Sequence, residues 1–388
     1  MHAHHSHELL KLAYVVTEAG CMDPTTGARQ HINMGLRELG KHTEVIRFLP
    51  PHPKKVVASS PRCAPTTGFL GWVKTTGLWG AGRDLRDALY NFREAWRLVK
   101  EIENCGCHLA YVRVHALHPL PIFLKCRGIS VFLEANGLQF ASRKARFRSW
   151  LSWLYRPFER YTYRNADHVF FVGSYGQFWQ LSEDNWTEVE NGIEPELIQP
   201  RSSRIATGNR LRVVLLARLM AHHKGHILPA AITRLPPRIK ERLEIHLVGS
   251  GLEQLERDLA PLCHVENHGF VSREEIGKLL KRMDCGLIPD CPAYGSQMKL
   301  LDYAASGCLV LAPEVFHLKQ FFDGKGVFFF KRRDPANLAE RLEAIMMGDQ
   351  STDAMARALQ THVQQQYTWS AIFDRKWEII SELMPASK

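Results

Sequence analysis

Between Tyr294 and Gly307 the chain reads Tyr-Gly-Ser-Gln-Met-Lys-Leu-Leu-Asp-Tyr-Ala-Ala-Ser-Gly, a loop followed by a helix-period segment with one cation and one carboxylate. Ser296 is a good N-cap, because its hydroxyl can accept from backbone N–H groups two or three residues on, and Gly307 suits a helix end. Lys299, Asp302 and Ser306 stand at i, i+3 and i+7 and so share a face, while Met298, Leu301 and Ala305 are expected to be buried opposite. The chemistry of this pattern is anion binding. Leading N–H groups of a helix lack internal partners, the dipole is positive there, and Lys299 adds a full charge. A diphosphate fits the turn Gly295-Ser296-Gln297-Met298, and Asp302, one turn deeper, has the acceptors for a ribose diol. A plain exposed helix with an i,i+3 ion pair has the same spacing, so the upstream elements decide.

Those elements alternate between strand and helix. Leu211 to Ala217 is a nearly continuous apolar run, as expected for a strand buried on both faces of a parallel sheet; it ends at Arg218, with Lys224-Gly225 in the next loop. Glu244 to Val248 is a second strand, ending in Gly249-Ser-Gly251, and Cys285 to Pro289 is a third that leads into Tyr294. Helix-period segments at 227–242, 252–260 and 273–283 separate them, which predicts a doubly wound α/β sheet. Ligands of such sheets bind outside the carboxyl ends of the strands, and Arg218, Lys224, the two glycines and the 295–299 turn all fall there.

Taken together, the motifs Ala217-Arg218, Lys224-Gly225, Gly249-Ser-Gly251, Gly269-Phe270-Val271 and Tyr294 to Asp302 resemble the donor-binding domain of family 4 retaining glycosyltransferases over roughly 160 residues. The resemblance implies the GT-B fold, with two Rossmann-like doubly wound domains facing a central cleft. It also implies transfer of a sugar from a nucleotide-diphosphate donor, with uridine the expected base, by a hexosyltransferase-type enzyme. The N-terminal half agrees more loosely. Leu12 to Thr17 reads as the first strand, and the loop from Asp23 to Ala28, with Gly27, is similar to the family's glycine loop near the donor phosphates. Leu109 to Val114, Ile129 to Glu134 and His168 to Val172 continue the strands, and Val189 to Ile193 resembles the segment leaving the first domain. The expected division is an acceptor-binding domain over 1–195, a linker around Pro195 to Gly208, a donor domain over 209–365 and, over 366–388, a helix crossing back to the first domain.

Two departures bear on the sugar. Tyr294 stands where the family usually has the first acidic residue of a pair, and Asp302 stands where the second is usually Glu; Gln297 also replaces a common proline. The resemblance assigns donor binding to Gly27, Gly249, Gly251, Phe270, Val271, Tyr294, Gly295, Ser296, Gln297, Met298, Lys299 and Asp302. Breaking a sugar–phosphate bond leaves negative charge on the diphosphate, which Arg218 and Lys224 are placed to stabilise. No Asp-x-Asp stands at a strand end with a clear partner, so a bridging metal is not expected, and no other cofactor is. In retaining members the leaving phosphate oxygen takes the acceptor proton. His115 and His118, just after the strand ending at Val114, are the remaining catalytic candidates, and Glu134 and Asn136 the acceptor-side ones.

Composition limits the partners. The 388 residues, 45% hydrophobic and 23% charged, suffice for two domains with cores of their own. Nine cysteines without a Cys-x-x-Cys pair point to free thiols in a reducing compartment rather than to zinc. His2 to His7 is a histidine-rich leader, read as a frayed terminus. No signal peptide and no long apolar run are found, so a cytoplasmic protein is expected.

Net charge is +10, and seven basic residues against one acidic lie between Phe140 and Arg164, among Phe147, Trp150, Leu154 and Tyr161. A second aromatic and basic stretch covers 69–100. Such surfaces suit an anionic membrane, which places the enzyme at the inner face of the cytoplasmic membrane, acting on a glycan or lipid-linked acceptor in polysaccharide or glycolipid synthesis. No nucleic-acid signature accompanies the charge. A Rossmann dehydrogenase is disfavoured because Gln254 occupies the third-glycine position after Gly249-Ser-Gly251, and no Walker loop exists. The rival from another class is a non-catalytic nucleotide-sugar-binding or assembly protein, favoured by Tyr294.

Overall fold

The computed structural model describes residues 10–23, 27–50, 78–113, 117–147, 149–194, 210–219, 224–347 and 351–384. His115, the leader from His2 to His7, the linker from Pro195 to Gly208, segment 69–77, Pro24 to Thr26 and Arg148 lie outside them. The chain divides into two compact units, Met1–Val189 with Phe373–Lys388, and Glu190–Ile372.

In the first unit β1 (Lys11–Val16), β2 (Glu44–Phe48), β3 (Leu109–Arg113), β4 (Ser130–Ala135), β5 (His168–Val172) and β6 (Trp186–Val189) form one sheet in the order β2-β1-β3-β4-β5-β6. Every pairing is parallel. The order reverses between β1 and β3, so the crevice of this sheet opens beyond their carboxyl ends. The chain leaves β1 there, through residues 17–23, on its way to helix Gly27–Leu39.

The second unit holds β7 (Leu211–Arg218), β8 (Leu243–Ser250), β9 (His264–Asn267), β10 (Cys285–Leu287), β11 (Leu309–Pro313) and β12 (Val327–Phe330). Their order is β12-β11-β10-β7-β8-β9, all parallel, with the reversal between β7 and β10. Successive residues of β7 serve opposite faces: Leu211, Val213 and Leu215 enter one core, Val214 and Leu216 the other. That is why the strand reads as an unbroken apolar run. The expected helix over 227–242 is two pieces, Ile227–Arg234 and Pro237–Lys240, because Pro236 and Pro237 cannot continue the first.

At the reversal β7 and β10 pair only through Val213 with Cys285 and Val214 with Gly286. Tyr303 fills the gap beyond. Its hydroxyl accepts from the Leu216 N–H at 2.7 Å and donates to the Leu287 carbonyl at 3.4 Å. A Cβ on Gly286 would lie 2.1 Å from the Tyr303 ring, so only glycine fits.

The last helix, Trp369–Leu383, is opened by Thr368, whose hydroxyl accepts from the Ala371 N–H at 3.2 Å. From Phe373 onward it belongs to the first unit, where Trp377 stacks on His42 with centroids 5.4 Å apart.

Candidate functional site

In the second unit the candidate donor residues gather at the strand ends flanking the β7/β10 reversal. Arg218 is exposed at the end of β7, and Lys224, with φ 47°, is half-buried two residues ahead of His226, which precedes helix Ile227–Arg234. Gly249, at the end of β8, has φ 132°, and a Cβ there would stand 1.9 Å from the Ala217 carbonyl oxygen. Its N–H donates to the Gly269 carbonyl at 2.7 Å, so the turn carrying Phe270 and Val271 is fixed against β8. Phe270 is 68% exposed, a large ring left in solvent beside that turn.

β10 is prolonged by a loop that Asp290 holds. Its buried carboxylate accepts from Arg332 Nε at 2.7 Å, Arg333 Nε at 3.0 Å and the Cys291 N–H at 2.9 Å. Burial works to raise its pKa, but the two guanidinium groups and the N–H hold it below the usual carboxylate value. Tyr294 follows, 37% exposed and tilted against Phe316.

Helix Met298–Ala305 then begins one residue after Gln297. The expected N-cap is corrected here: Ser296 does not cap the helix, and its hydroxyl accepts from Asn191 Nδ2 at 2.6 Å. Gln297 spends its amide on the Gly295 carbonyl, 3.1 Å away. The expected two-faced helix is corrected as well. Leu300 to Ala305 are all buried, because the helix lies between the sheet and helix Ser351–Gln366 instead of on the surface.

Asp302 and Lys299 therefore have different surroundings. Both oxygens of Asp302 accept from Arg273, at 2.7 Å and 2.5 Å, and Arg273 Nε donates to Glu194 at 3.1 Å. Arg273 is the first residue of helix Arg273–Leu280, fixed by a capping box of Ser272 and Glu275. This clamp was missed in the sequence, although the Ser-x-x-Glu signature of its helix start is present. Lys299 has no ion-pair partner among the described residues, and burial pushes its amine down to about 8. An ammonium group partly removed from water without a counter-charge is destabilised, so an anion arriving at this helix start meets a group that gains by pairing with it.

The first unit treats its candidates otherwise. Glu134, at the end of β4, is fully buried and accepts from five side chains. They are Arg113 at 2.6 Å, Lys376 at 2.8 Å, His31 at 2.8 Å, Tyr111 at 2.5 Å and Asn136 at 3.0 Å. Burial alone would raise its pKa, but His31, Lys376 and Arg113 hold it well below the ordinary carboxylate value. Burial lowers the pKa of His31, whose neutral ring must carry its proton on Nε2 to donate to a carboxylate. The acceptor-side expectation for Glu134 is thus corrected: the carboxylate is saturated and closed to solvent, and it ties β3, β4, helix Gly27–Leu39 and the last helix together. Asn136 is one of its donors. His118 is also engaged at both nitrogens, Nδ1 accepting from the Leu120 N–H at 3.3 Å and Nε2 lying 3.4 Å from Glu94. It is buried, and no ring atom is left for proton transfer.

The basic, aromatic stretch is only partly a surface. Arg143 is buried and paired with Asp84 at 2.8 Å and Asp87 at 2.9 Å, and so drops out of the expected basic surface. Trp150 and Trp153 are 60% and 69% exposed, and Leu85, Leu89, Tyr90, Phe92 and Trp96 of helix Leu78–Asn104 are exposed too. Among the described residues no helix is long and apolar enough to cross a membrane.

Residues 226–375 match the family model described as Glycosyl transferase-like. No curated protein matches the sequence. Of the similar solved structures, HepE of Anabaena, in complex with UDP and glucose, superposes with TM-score 0.67 at 15% identity over 96% of this chain and 100% of that one. Sucrose-phosphate synthase of Thermosynechococcus elongatus gives TM-score 0.70 at 15% identity over 96% and 99%. WaaG, a glycosyltransferase involved in lipopolysaccharide biosynthesis, gives 0.62 at 15% over 96% and 99%. Two parallel six-stranded sheets with their flanking helices thus give this chain the α/β GT-B fold, with the glycosyl-transferase-like signature on residues 226–375.

Proposed function

We propose that the chain is a retaining glycosyltransferase of family 4 type, moving a hexose from a uridine diphosphate sugar to a glycan or lipid-linked acceptor in cell-surface polysaccharide or glycolipid synthesis. The observation that carries this is Lys299, an amine without an ion-pair partner among the described residues and with its pKa pushed down to about 8, at the start of a helix beside a topological reversal. The family match over 226–375 and the UDP bound by HepE support the donor class.

In the reaction the bond from the sugar's anomeric carbon to the phosphate oxygen breaks, and a bond to the acceptor hydroxyl oxygen forms on the same face. The acceptor proton passes to the leaving phosphate oxygen. Charge accumulating on the diphosphate is met by Lys299, Arg218, Lys224 and the leading N–H groups of helix Met298–Ala305, so no metal need bridge it. That proton route needs no protein base, in keeping with the full engagement of Glu134 and His118. Exposed Trp150 and Trp153 among basic residues support a peripheral position on an anionic membrane, at the inner face of the cytoplasmic membrane.

The test is a thermal-shift panel with the diphosphates of uridine, guanosine, adenosine and thymidine, free and sugar-linked, followed by assay of UDP release with the stabilising donor. Stabilisation by the uridine compounds with release of UDP is expected. Stabilisation by another base would overturn the donor assignment. Stabilisation without any turnover would establish the second reading, a binding or assembly protein, which Tyr294 in place of a carboxylate favours.

A further inference from the structure

On the edge of the second sheet, away from the donor residues, β9 carries His264, Glu266 and, one residue past its end, His268, spaced by two so that all three face the same way. β8 runs beside it in parallel, with Glu244 opposite His264 and His246 opposite Glu266. The rings of His246 and His268 are stacked, 15° apart in plane, and His246 Nδ1 lies 3.0 Å from His268 Nε2. Glu266 places a carboxylate oxygen 3.4 Å from His246 Nδ1. One ligand atom from each of the three residues lies within 4.8 Å of the other two. A tetrahedral ion with metal–ligand bonds of about 2.0–2.1 Å has edges of roughly 3.3–3.4 Å; the His246–Glu266 separation matches that edge, the His246–His268 one is a little shorter, and the other Glu266 oxygen lies 3.6 Å from His268 Nδ1.

A second observation concerns the other nitrogen of His246. This side chain is only 5% exposed, yet its Nε2 has no hydrogen-bond partner. The nearest carboxylate is Glu244, 4.0 Å away and held by Arg210 at 2.6 Å. Histidine ligands of metals direct their second N–H at a carboxylate, which fixes the tautomer and leaves the first nitrogen's lone pair for the ion. His246 is oriented for that arrangement without completing its hydrogen bond, with Nδ1 turned toward His268 and Glu266 and Nε2 on the side of Glu244.

We propose that His246, Glu266 and His268 bind one divalent first-row transition ion of the zinc class, with the fourth position open to water. Two imidazoles and a carboxylate are the donor set that such ions prefer, and alkaline-earth ions do not. The ion joins edge strand β9 to β8 immediately before the turn at Gly269 and Phe270. Its role is structural, and the proposal is independent of the donor chemistry.

The histidines at positions 2, 4, 5 and 7 would obscure the measurement, so the full chain is used with all four replaced by alanine. After treatment with chelator and dialysis it is titrated with cobalt(II), followed by visible absorption, and then with zinc(II) in competition. The expected result is one cobalt per chain with tetrahedral d–d bands, displaced by one zinc, and a raised Tm with zinc. His268→Gln, at a half-buried edge position, should bind at least tenfold more weakly with unchanged circular dichroism. If that variant fails to fold, Glu244→Gln gives the same reading through the outer carboxylate, with an expected loss of about tenfold. No cobalt bound once the leader histidines are gone, or equal affinity in the parent and the variant that folds, would overturn the proposal.

Discussion

Glu134 and Lys299 both stand near strand ends of a parallel sheet, where functional groups collect, and both lose water, Glu134 entirely and Lys299 in part. Glu134 accepts from five donors and is fully buried, whereas Lys299 has no ionic partner among the described residues. The difference separates what holds the fold from what is left for a ligand. A carboxylate whose lone pairs are used by Arg113, Lys376, His31, Tyr111 and Asn136 cannot also take a proton from a sugar. A lysine whose amine is destabilised by burial lacks the counter-charge that a diphosphate would bring. Position in the fold nominates a residue, and its remaining hydrogen-bonding capacity decides its use.

The sharpest way to break this comparison is at Glu134. Glu134→Leu strands Lys376 and Arg113 as buried cations, and an uncompensated charge of this kind costs about 3–5 kcal/mol. Urea denaturation should show that loss. The folded-state pKa lies well below the ordinary 4.5, so the carboxylate's contribution is complete above that value and disappears only as the pH falls far below it. A stability loss under about 1 kcal/mol would mean that the cluster does not hold the last helix. Lys299→Ala should do the opposite. It removes an amine destabilised by burial, so the free protein keeps its stability, while transfer falls a hundredfold or more, as do the rates of Arg218→Ala and Lys224→Ala. Transfer at the parent rate in Lys299→Ala would move the diphosphate to another place.

The sequence was legible where one physical constraint acts by itself. Strands buried on both faces announce themselves as apolar runs, and β5 occupies the residues expected of it, His168–Val172. Edge strand β9, His-Val-Glu-Asn, is half-exposed and carries no such run, so neither it nor the spacing by two of His264, Glu266 and His268 is legible from apolar periodicity or cysteine spacing. The turn proposed to take the diphosphate stands out in the sequence because glycine, lysine and helix start coincide in a few residues. The partners of Asp302 and Glu134 were not, since Arg273 lies 29 residues from one and Lys376 242 residues from the other. Pairing over such distances is set by the topology of the sheet, and periodicity says nothing about it. Ser296 departs from its expected role for a related reason, because an N-cap residue is recognised by type and Asn191 competes for the same hydroxyl from 105 positions away.

A pH titration sharpens the contrast at intermediate magnitude. Burial brings Lys299 from 10.5 to about 8, so its amine is charged below that pH and neutral above it. Affinity for UDP should weaken about tenfold between pH 7 and pH 9, since only the protonated amine pairs with phosphate and a unit of pKa is worth tenfold. The free protein should change in the other sense. Between about 8 and 10.5 the unfolded chain binds the proton that the folded chain has lost, so stability rises with pH there. Lys299→Arg, charged throughout, should remove both trends, and a UDP affinity independent of pH in the parent would show that Lys299 does not touch the phosphates.

The smallest expected effects lie on the first unit, where neighbours in sequence repeat the same contrast. Arg143 is buried against Asp84 and Asp87, while Lys144 is exposed a short way along the chain from Trp150 and Trp153. Arg143→Gln should therefore act on stability, leaving Asp84 without a cation and Asp87 with Arg86 alone, and it does not test the surface. Lys144→Glu does: a basic residue near an anionic bilayer contributes about 1 kcal/mol, so the substitution should weaken binding to phosphatidylglycerol vesicles at least fivefold at low salt. Trp150→Ser with Trp153→Ser should weaken it further, and that loss should persist at high salt, because indole burial is not screened. Vesicle flotation at two salt concentrations separates the two terms. Unaltered flotation in both surface variants would show that the exposed aromatics face something other than a membrane.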